Sequence, residues 1–148
     1  MELKIKTFKE LSTEELHDIL QLRSEVFVVE QNCVYQDIDG KDKDALHVIG
    51  RKKRHLVAYT RCFAPGFYFK DASIGRVVVT NKERKNKYGD EIMKASIQAI
   101  QTHYQTQQIS LSAQTHLKKF YKNHGFSQVG EGYLEDGIPH IMMVNTIK

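Results

Sequence analysis

Three basic side chains lie between a β-branched strand and an amphipathic helix, where they could bind an anion. The strand covers residues 75–79, and the cations Arg84, Lys85 and Lys87 follow it. The first backbone N–H groups of a helix have no partner within that helix, and the helix dipole favours a negative charge beside them. The sequence therefore predicts a site for a phosphate or pyrophosphate group here, with a solvated basic helix start as the alternative.

A tyrosine placed seven residues after a glutamine could serve as a proton donor. Gln114 and Tyr121 are two helical turns apart, so their side chains would share one face of a helix. A phenol has a reference pKa near 10 and can act as a general acid at neutral pH. Leu117 and Phe120 lie beside Tyr121 at helical spacing, and from periodicity alone Tyr121 is better explained as part of that apolar face.

Three side chains are candidates for a general base. Glu30 ends the apolar stretch of residues 26–29, and apolar neighbours can raise the pKa of a carboxyl group toward a useful value. His140 begins a predicted strand, and histidine titrates in the range that base catalysis needs. His47 lies in another predicted strand and could face the same cleft. For each residue the alternative is a hydrogen-bonded structural role, with an ordered water acting as the base.

An acidic turn near the C-terminus could bind a cationic ligand. Glu135 and Asp136 form this turn, and Glu30 and Gln31 supply similar groups from an earlier segment. Arg23, one helical turn before residue 27, could tie the region together through an ion pair. These five residues are predicted to form the binding site of a protonated amine, with a plain turn as the alternative for the acidic pair.

Composition and charge narrow the function classes. The 148 residues suffice for one domain with its own core. No apolar run approaches the roughly 20 residues that span a bilayer, and residues 1–6 lack a signal-peptide core, so we predict a cytoplasmic protein without membrane contact. The net charge is only +4, and aromatic residues do not alternate with the basic turn at 51–54, so no nucleic-acid partner is predicted.

Neither metal binding nor cysteine chemistry is indicated. Cys33 and Cys62 form no CxxC pair, which predicts two free thiols and no zinc site. Aspartates recur over residues 37–44, but position twelve counted from Asp37 is Val48 rather than the glutamate of an EF-hand, so the aspartates are predicted to shape a loop near the cleft. A cysteine that acts as a covalent nucleophile is an alternative, and no histidine spacing supports it.

Hydrophobic periodicity predicts the elements that position these residues. Ser12 and Glu15 form a capping box at the start of the first helix. We predict strands at 2–8, 45–51, 55–63, 72–79, 108–113, 126–130 and 138–145. We predict helices from 12 to about 27, at 90–104 and from 117 to near 125, and a loop at 31–44. This order predicts one α/β-type domain over residues 1–148, with a mixed sheet and helices on its faces.

Four separated segments resemble, in order, the ElaA-like branch of the GNAT superfamily of N-acetyltransferases. They are residues 22–33, 75–89, 111–126 and 133–143, the third of which ends in the pattern FY-x-x-x-GF. The second is similar to the family's acyl-CoA motif, R-x-x-G-x-G/A after a strand. Arg84 and Gly89 match the ends of that motif, whereas Lys87 replaces its middle glycine and is less suited to glycine backbone angles.

The resemblance implies an α+β GNAT fold, with a central mixed, mostly antiparallel sheet flanked by helices on both faces. It implies acetyl transfer from acetyl-CoA to an amine by direct attack in a ternary complex, with no metal. Pantetheine would lie along the strand and pyrophosphate on the loop, and Tyr121 would protonate the leaving sulfur. The implied cofactor-binding residues are Val77, Val78, Val79, Arg84, Lys85, Asn86, Lys87, Tyr88, Gly89, Asp90, Gln114 and Tyr121.

The partner implied by the resemblance is a small-molecule or peptide amine. The residues that would bind it are Arg23, Glu30, Gln31, Glu135 and Asp136, with Glu30 or His140 as the base. The sequence leaves the oligomeric state undecided, with a homodimer as one alternative. The alternative from another function class is a non-catalytic acyl-CoA-binding sensor or interaction domain of the same fold.

Overall fold

The computed structural model describes residues 1–147. Its fold is one seven-stranded sheet with helices on both faces. The strands are β1 (Glu2–Thr7), β2 (Leu46–Lys52), β3 (His55–Phe63), β4 (Ala72–Val79), β5 (Gln108–Gln114), β6 (Ser127–Glu135) and β7 (Ile138–Thr146). The helices are α1 (Thr13–Arg23), α2 (Tyr88–Tyr104) and α3 (Lys118–Lys122). The order across the sheet is β1-β2-β3-β4-β5-β7-β6, and only β4 and β5 are parallel. The predicted mixed, mostly antiparallel sheet is confirmed.

Two apolar clusters hold the sheet between its helices. On one face Ile19, Leu22 and Val26 pack against side chains of β2, β3 and β4. On the other face α2 and α3 pack on the sheet through Ile92, Met93, Ala99, Ile100 and Tyr121. Because both faces are covered, the inner strands are buried along most of their length, as the apolar character of β2 and β3 predicts.

The first helix begins as the sequence predicts and then changes its pitch. Ser12 Oγ accepts a hydrogen bond from the Glu15 N–H at 3.0 Å, and the Glu15 carboxylate accepts one from the Ser12 N–H at 2.8 Å. After Arg23 the chain widens into a π-helical segment, Ser24–Glu30, where the periodicity predicted continued α-helix. π-Helical turns are rare and often lie at functional sites.

A divergence of β4 and β5 opens a cleft in the sheet. Within residues 1–147 their pairing ends at Ser73 and Ser110. Farther along β4, Arg76 has a left-handed backbone (φ 49°), and the register between β3 and β4 shifts. Such a bulge bends the strand and increases its twist. Val78 and Val79 pair with β3 on one side, and residues 77–79 line the cleft.

Two predicted boundaries were wrong. The basic loop is partly a 3₁₀ helix, Asn81–Asn86, and α2 begins at Tyr88 rather than at residue 90. β6 continues to Glu135 instead of ending at residue 130. Its register with β7 shifts between Val129 and Tyr133, and this irregularity interrupts the alternation that a sequence pattern can detect.

No helix of the described chain, residues 1–147, combines the length and the apolar composition needed to cross a membrane.

Candidate active site

The cleft between β4 and β5 forms a cavity of about 610 Å³. Residues 75–79 of β4 make one wall, and β5 and α3 make the opposite wall with side chains that include Gln114 and Tyr121. The π-helical segment and the β6–β7 turn contribute Glu30 and Glu135. Segments far apart in sequence therefore meet at one place, in a cavity large enough for an organic ligand.

Most of the predicted site residues reach this cavity, although not all do. Those in its wall are Glu30, Gln31, Val77, Val78, Val79, Arg84, Gly89, Gln114, Tyr121, Glu135, Asp136 and His140. The remaining predicted loop residues follow Arg84 along the chain and lie outside the wall: Lys85, Asn86, Lys87, Tyr88 and Asp90.

Arg23 lies in a buried ion-pair network and not in the cavity wall. Its side chain has no exposed surface; Nε lies 2.9 Å from Asp37 Oδ2, and Nη1 lies 2.7 Å from Asp42 Oδ1. The predicted ion pair thus forms, but with aspartates of the 31–44 loop. This corrects the predicted contact with an amine, because the buried guanidinium has no surface to offer a ligand.

Two further arginines complete the network and fix the aspartate-rich loop under the cleft. Arg61 binds Asp39 at 2.6 Å and Asp42 at 2.9 Å, and Arg76 Nε lies 2.7 Å from Asp37 Oδ1. Burial alone raises the pKa of Asp42, but its hydrogen bonds with arginine outweigh burial and hold that pKa below the usual value. Within residues 1–147, no group of three His, Cys, Asp or Glu side chains is arranged to hold a metal.

His47 is not placed to act as a base. Its Nδ1 lies 2.6 Å from the Tyr59 hydroxyl, and its Nε2 lies 2.9 Å from the Asp42 carbonyl oxygen. The ring is fully buried, and burial lowers its pKa. The expectation that His47 faces the cleft was wrong, because its position in β2 directs it to the ion-pair network instead.

In the turn before α2, a lysine adopts a backbone conformation that is usually found at glycine. Lys87 has φ 59° and ψ 24°, in the left-handed region, and no side chain caps the start of α2. The first amides of α2 therefore stay free for a ligand. Two residues later, a Cβ on Gly89 would lie 3.3 Å from the Phe120 ring, so glycine there permits the close approach of α2 and α3. At the position of the motif's middle glycine, Lys87 thus adopts a left-handed conformation that glycine favours.

Two residues predicted for different roles form an ion pair across the mouth of the cleft. Arg84 Nη2 lies 2.6 Å from Glu30 Oε2, and Arg84 Nε donates a hydrogen bond to the Val79 carbonyl at 3.1 Å. Both charged side chains are about two-fifths exposed. The pair joins the end of the π-helical segment to the predicted anion loop.

Tyr121 is both a core residue and a wall of the cavity. Its ring meets Phe120 and Phe126 edge to face, at centroid distances of 5.1 and 6.2 Å. Burial raises its pKa well above the usual value, so the phenol keeps its proton at neutral pH. The two interpretations of Tyr121 are therefore compatible: it packs against the core and presents a protonated hydroxyl group to the cleft region.

His140 and Glu135 face each other at the acidic end of the cavity. His140 Nδ1 lies 2.7 Å from the Ile138 carbonyl, and Nε2 lies 3.4 Å from Glu135 Oε2. A carbonyl can only accept, so Nδ1 carries the hydrogen and Nε2 is the nitrogen of the neutral ring that can take up a proton. The Tyr133 ring stacks on His140 at 6.2 Å. This arrangement suits a base whose charged form a carboxylate stabilises.

The two cysteines differ in access to the cleft. Cys33 lines the cavity, and its Sγ lies 3.6 Å from the Asp136 carbonyl oxygen. Cys62 is fully buried in the core, where burial raises the pKa of its thiol to about 12. Both are free thiols, as predicted. Cys62 is therefore not placed to form a covalent intermediate with a ligand in the cleft.

Sequence reasoning missed several wall residues. Ser112 hydrogen-bonds to the Tyr133 hydroxyl and lies 3.4 Å from Glu135 Oε1, and Tyr35 binds Asp37 Oδ1 at 3.2 Å. The partners of Ser112 come from β6, more than 20 residues later. Nothing local distinguishes such a serine from any other polar strand residue, so only the register of the sheet reveals it.

The comparisons agree with the resemblance stated above. The model of the acetyltransferase (GNAT) domain matches residues 8–147. Protein ElaA of Escherichia coli is 44% identical over 140 residues, covering 93% of this chain and 92% of ElaA. A UPF0039 protein of Synechocystis is 42% identical over 138 residues, covering 93% of this chain and 90% of its own length.

Solved structures match over almost the entire chain. The crystal structure of Escherichia coli ElaA has a TM-score of 0.91 at 42% identity, covering 97% of this chain and 98% of that one. An acyl-CoA N-acyltransferase from Pseudomonas aeruginosa has a TM-score of 0.92 at 39% identity, covering 99% and 100%. Sequence, fold and the cleft between β4 and β5 therefore agree, and the chain belongs to the GNAT acetyltransferase family, with ElaA among its relatives.

Proposed function

We propose that this protein transfers an acetyl group from acetyl-CoA to the amine of a small molecule or peptide, by direct attack in a ternary complex. The free inner edge of β4 carries this proposal, because it leads from the cavity directly to the uncapped start of α2. One extended ligand can therefore lie along the strand and place an anionic end on the loop. The name of the Pseudomonas relative, an acyl-CoA N-acyltransferase, supports an acyl-CoA as this ligand.

The donor binds mainly through the backbone. The N–H and C=O groups of residues 77–79 pair with the pantetheine arm as with an added strand. The amides of residues 84–90 hold the pyrophosphate, and Arg84, Lys85 and Lys87 add positive charge there. Arg84 exchanges its Glu30 partner for a phosphate oxygen when the donor binds. This exchange costs little, since an exposed ion pair contributes about 0–1 kcal/mol.

The acceptor binds at the opposite, acidic end of the cavity. Glu135 and Asp136 attract the protonated amine, with Glu30 and Gln31 on the facing segment. A free alkylamine is mostly protonated at neutral pH, so the site must remove a proton before the nitrogen can attack. His140 Nε2 takes this proton, and Glu135 stabilises the imidazolium. Glu30 is the second candidate, because it lines the same cavity.

Acetyl transfer then proceeds in two bond changes. The neutral nitrogen attacks the thioester carbonyl carbon and forms a tetrahedral species, which collapses with cleavage of the C–S bond. Tyr121 donates its proton to the leaving sulfur, and the nitrogen, which still carries a second proton after the attack, gives that proton to the Tyr121 phenolate. CoA then departs as a thiol, and the product is a neutral N-acetyl amine. The Tyr121 phenol is protonated at neutral pH, as a general acid must be before it transfers its proton.

A panel of amines tests this proposal. Purified protein, acetyl-CoA and one polyamine, amino acid, aminoglycoside or peptide at a time are mixed, and thiol release is followed. We expect amine-dependent release with at least one class, and no stable acetyl-cysteine in the mass spectrum of protein mixed with acetyl-CoA alone. A stable adduct on Cys33 would replace direct attack by a covalent route. Tight CoA binding without turnover of any amine would favour the sensor.

A further inference from the structure

A second, smaller cavity of about 70 Å³ lies beside the cleft. Its walls include the rings of Phe63, Tyr68 and Phe69, and it shares Ser112 and Glu135 with the larger cavity. Its other lining residues are Arg61, Ser73, Ile74, Gly75 and Arg76. The small cavity is therefore a side chamber of the acceptor end, and a ligand at Glu135 can extend into it.

Two buried polar groups in this wall lack partners. Ser73 is 2% exposed and Arg61 is 1% exposed, and within the described residues 1–147 neither Ser73 Oγ nor Arg61 Nε makes a hydrogen bond. Ser73 is paired with Phe63 across the two strands, and Arg61 with Gly75, so the two side chains lie on the same face of the sheet. An unpartnered buried donor costs free energy, which a ligand oxygen or a water in the chamber recovers.

The chemistry of these groups selects an acceptor oxygen. Arg61 Nε can only donate, and the Ser73 hydroxyl can donate as well. Charge then selects a neutral oxygen, because Arg61 is already bound to Asp39 and Asp42. Glu135 at the mouth adds a negative charge that opposes a carboxylate and attracts an ammonium group. The chamber is thus suited to a neutral carbonyl group that lies close to an amine.

We propose that the side chamber binds the carbonyl group of the acceptor, and that the acceptor is an α-amino amide, either a small amino-acid amide or the N-terminus of a peptide. This inference rests on the proposed acetyl transfer. In such a compound the amine is two bonds from the carbonyl carbon, so the amine lies at the junction near Glu135 while the carbonyl oxygen meets Ser73 and Arg61. Compounds with a carboxylate or with no carbonyl group fit this site less well.

Three small amines with nearly the same body test the proposal: L-alaninamide, L-alanine and isopropylamine. Their binding to the protein in the presence of CoA is measured by calorimetry, and their acetylation by thiol release. Because the amines differ in basicity, the diagnostic quantity is how a variant changes the ratio of kcat/KM for alaninamide to that for isopropylamine. We expect Ser73→Ala to lower this ratio at least fivefold, and Ser73→Thr, which keeps the hydroxyl, to restore part of it.

Ser110→Ala is the matched control. Ser110 is on the same face of the adjacent strand and is also buried, with 5% of its surface exposed. Its hydroxyl already binds Asp71 at 2.8 Å, and it lies outside the chamber. The ratio should stay within twofold of the native value in this variant. A ratio that is unchanged in Ser73→Ala, or that falls equally in both variants, would overturn the proposal. A water molecule would then be the partner of Ser73 and Arg61 in the chamber.

The two readouts separate this inference from the proposed function. Alaninamide that binds more weakly to Ser73→Ala than to the native protein supports the chamber even without turnover. Rapid acetylation of isopropylamine, with no preference for alaninamide that depends on Ser73, supports acetyl transfer and refutes the chamber. Tri-alanine distinguishes the two sources of the carbonyl: acetylation of its N-terminus identifies a peptide acceptor, and acetylation of alaninamide alone identifies a small amide.

Discussion

Arg84 and Glu30 form a 2.6 Å ion pair that links the anion loop before α2 to the π-helical segment of the acceptor side. Each was predicted from its own local pattern, for a different ligand. In the proposed donor complex, a phosphate group and Glu30 compete for the same guanidinium. Donor binding would then be coupled to the acceptor side through the Arg84 side chain.

Removal of this competitor should strengthen CoA binding. We expect Glu30→Gln to lower the Kd for CoA about 1.4- to fivefold at low salt, since an exposed ion pair contributes roughly 0.2–1 kcal/mol. Calorimetry measures the effect. Glu83→Gln is the control, because it removes the same charge from the neighbouring 3₁₀ helix, where Glu83 binds Lys52 rather than Arg84. Equal effects of the two variants would refute a specific competition.

Lys87 should lower the stability of the fold through its left-handed backbone, while its charge strengthens CoA binding. A left-handed backbone costs a residue other than glycine about 1 kcal/mol, so Lys87→Gly should raise the free energy of unfolding by about 0.5–1 kcal/mol in urea denaturation. Loss of the charge should weaken CoA binding. Lys87→Ala separates the two effects, because it loses the charge and keeps the strain. Tighter CoA binding by Lys87→Gly than by Lys87→Ala would show that strain limits the site.

Local sequence patterns were sufficient to predict most helices and strands and the basic loop before α2. The burial of Arg23, the side chamber and the bulge in β4 depend on long-range packing and could not be predicted in this way. The capping box at Ser12 and the apolar character of β3 are local signals, and both predicted elements formed. The partners of Arg23 lie 14 and 19 residues away, so its burial followed only from the fold. The side chamber at Ser73 depends on strand register, and the bulge at Arg76 carries no sequence signal because arginine rarely adopts positive φ.

The pH dependence of turnover should identify the base. We expect kcat/KM to fall as the pH is lowered, because the general base must be unprotonated to act, and His140→Ala to remove this acidic limb while lowering turnover. Glu30→Gln should retain it. The measurement is thiol release over a range of pH at subsaturating amine. Loss of the limb in Glu30→Gln but not in His140→Ala would assign the base to Glu30.

Burial of His47 should make the fold sensitive to mild acid. Burial lowers its pKa in the folded state, so below the unfolded value near 6.5 the unfolded chain binds the proton first. The stabilisation by neutral His47 is therefore complete above pH 6.5 and is lost as the pH falls, at up to about 1.4 kcal/mol per pH unit. We expect His47→Gln to flatten the fall in unfolding free energy between pH 7.5 and 5.5. The native slope in that variant would refute this account.

Tyr121→Phe tests the central claim most directly, because it removes only the hydroxyl that is proposed to protonate the leaving sulfur. The measurement is the rate of amine-dependent thiol release from acetyl-CoA, together with the Kd for CoA, in native protein and in the variant. We predict a rate at least tenfold lower and an almost unchanged Kd. Native turnover in Tyr121→Phe would remove Tyr121 from the mechanism, and the absence of amine-dependent release from the native protein would contradict acetyl transfer itself.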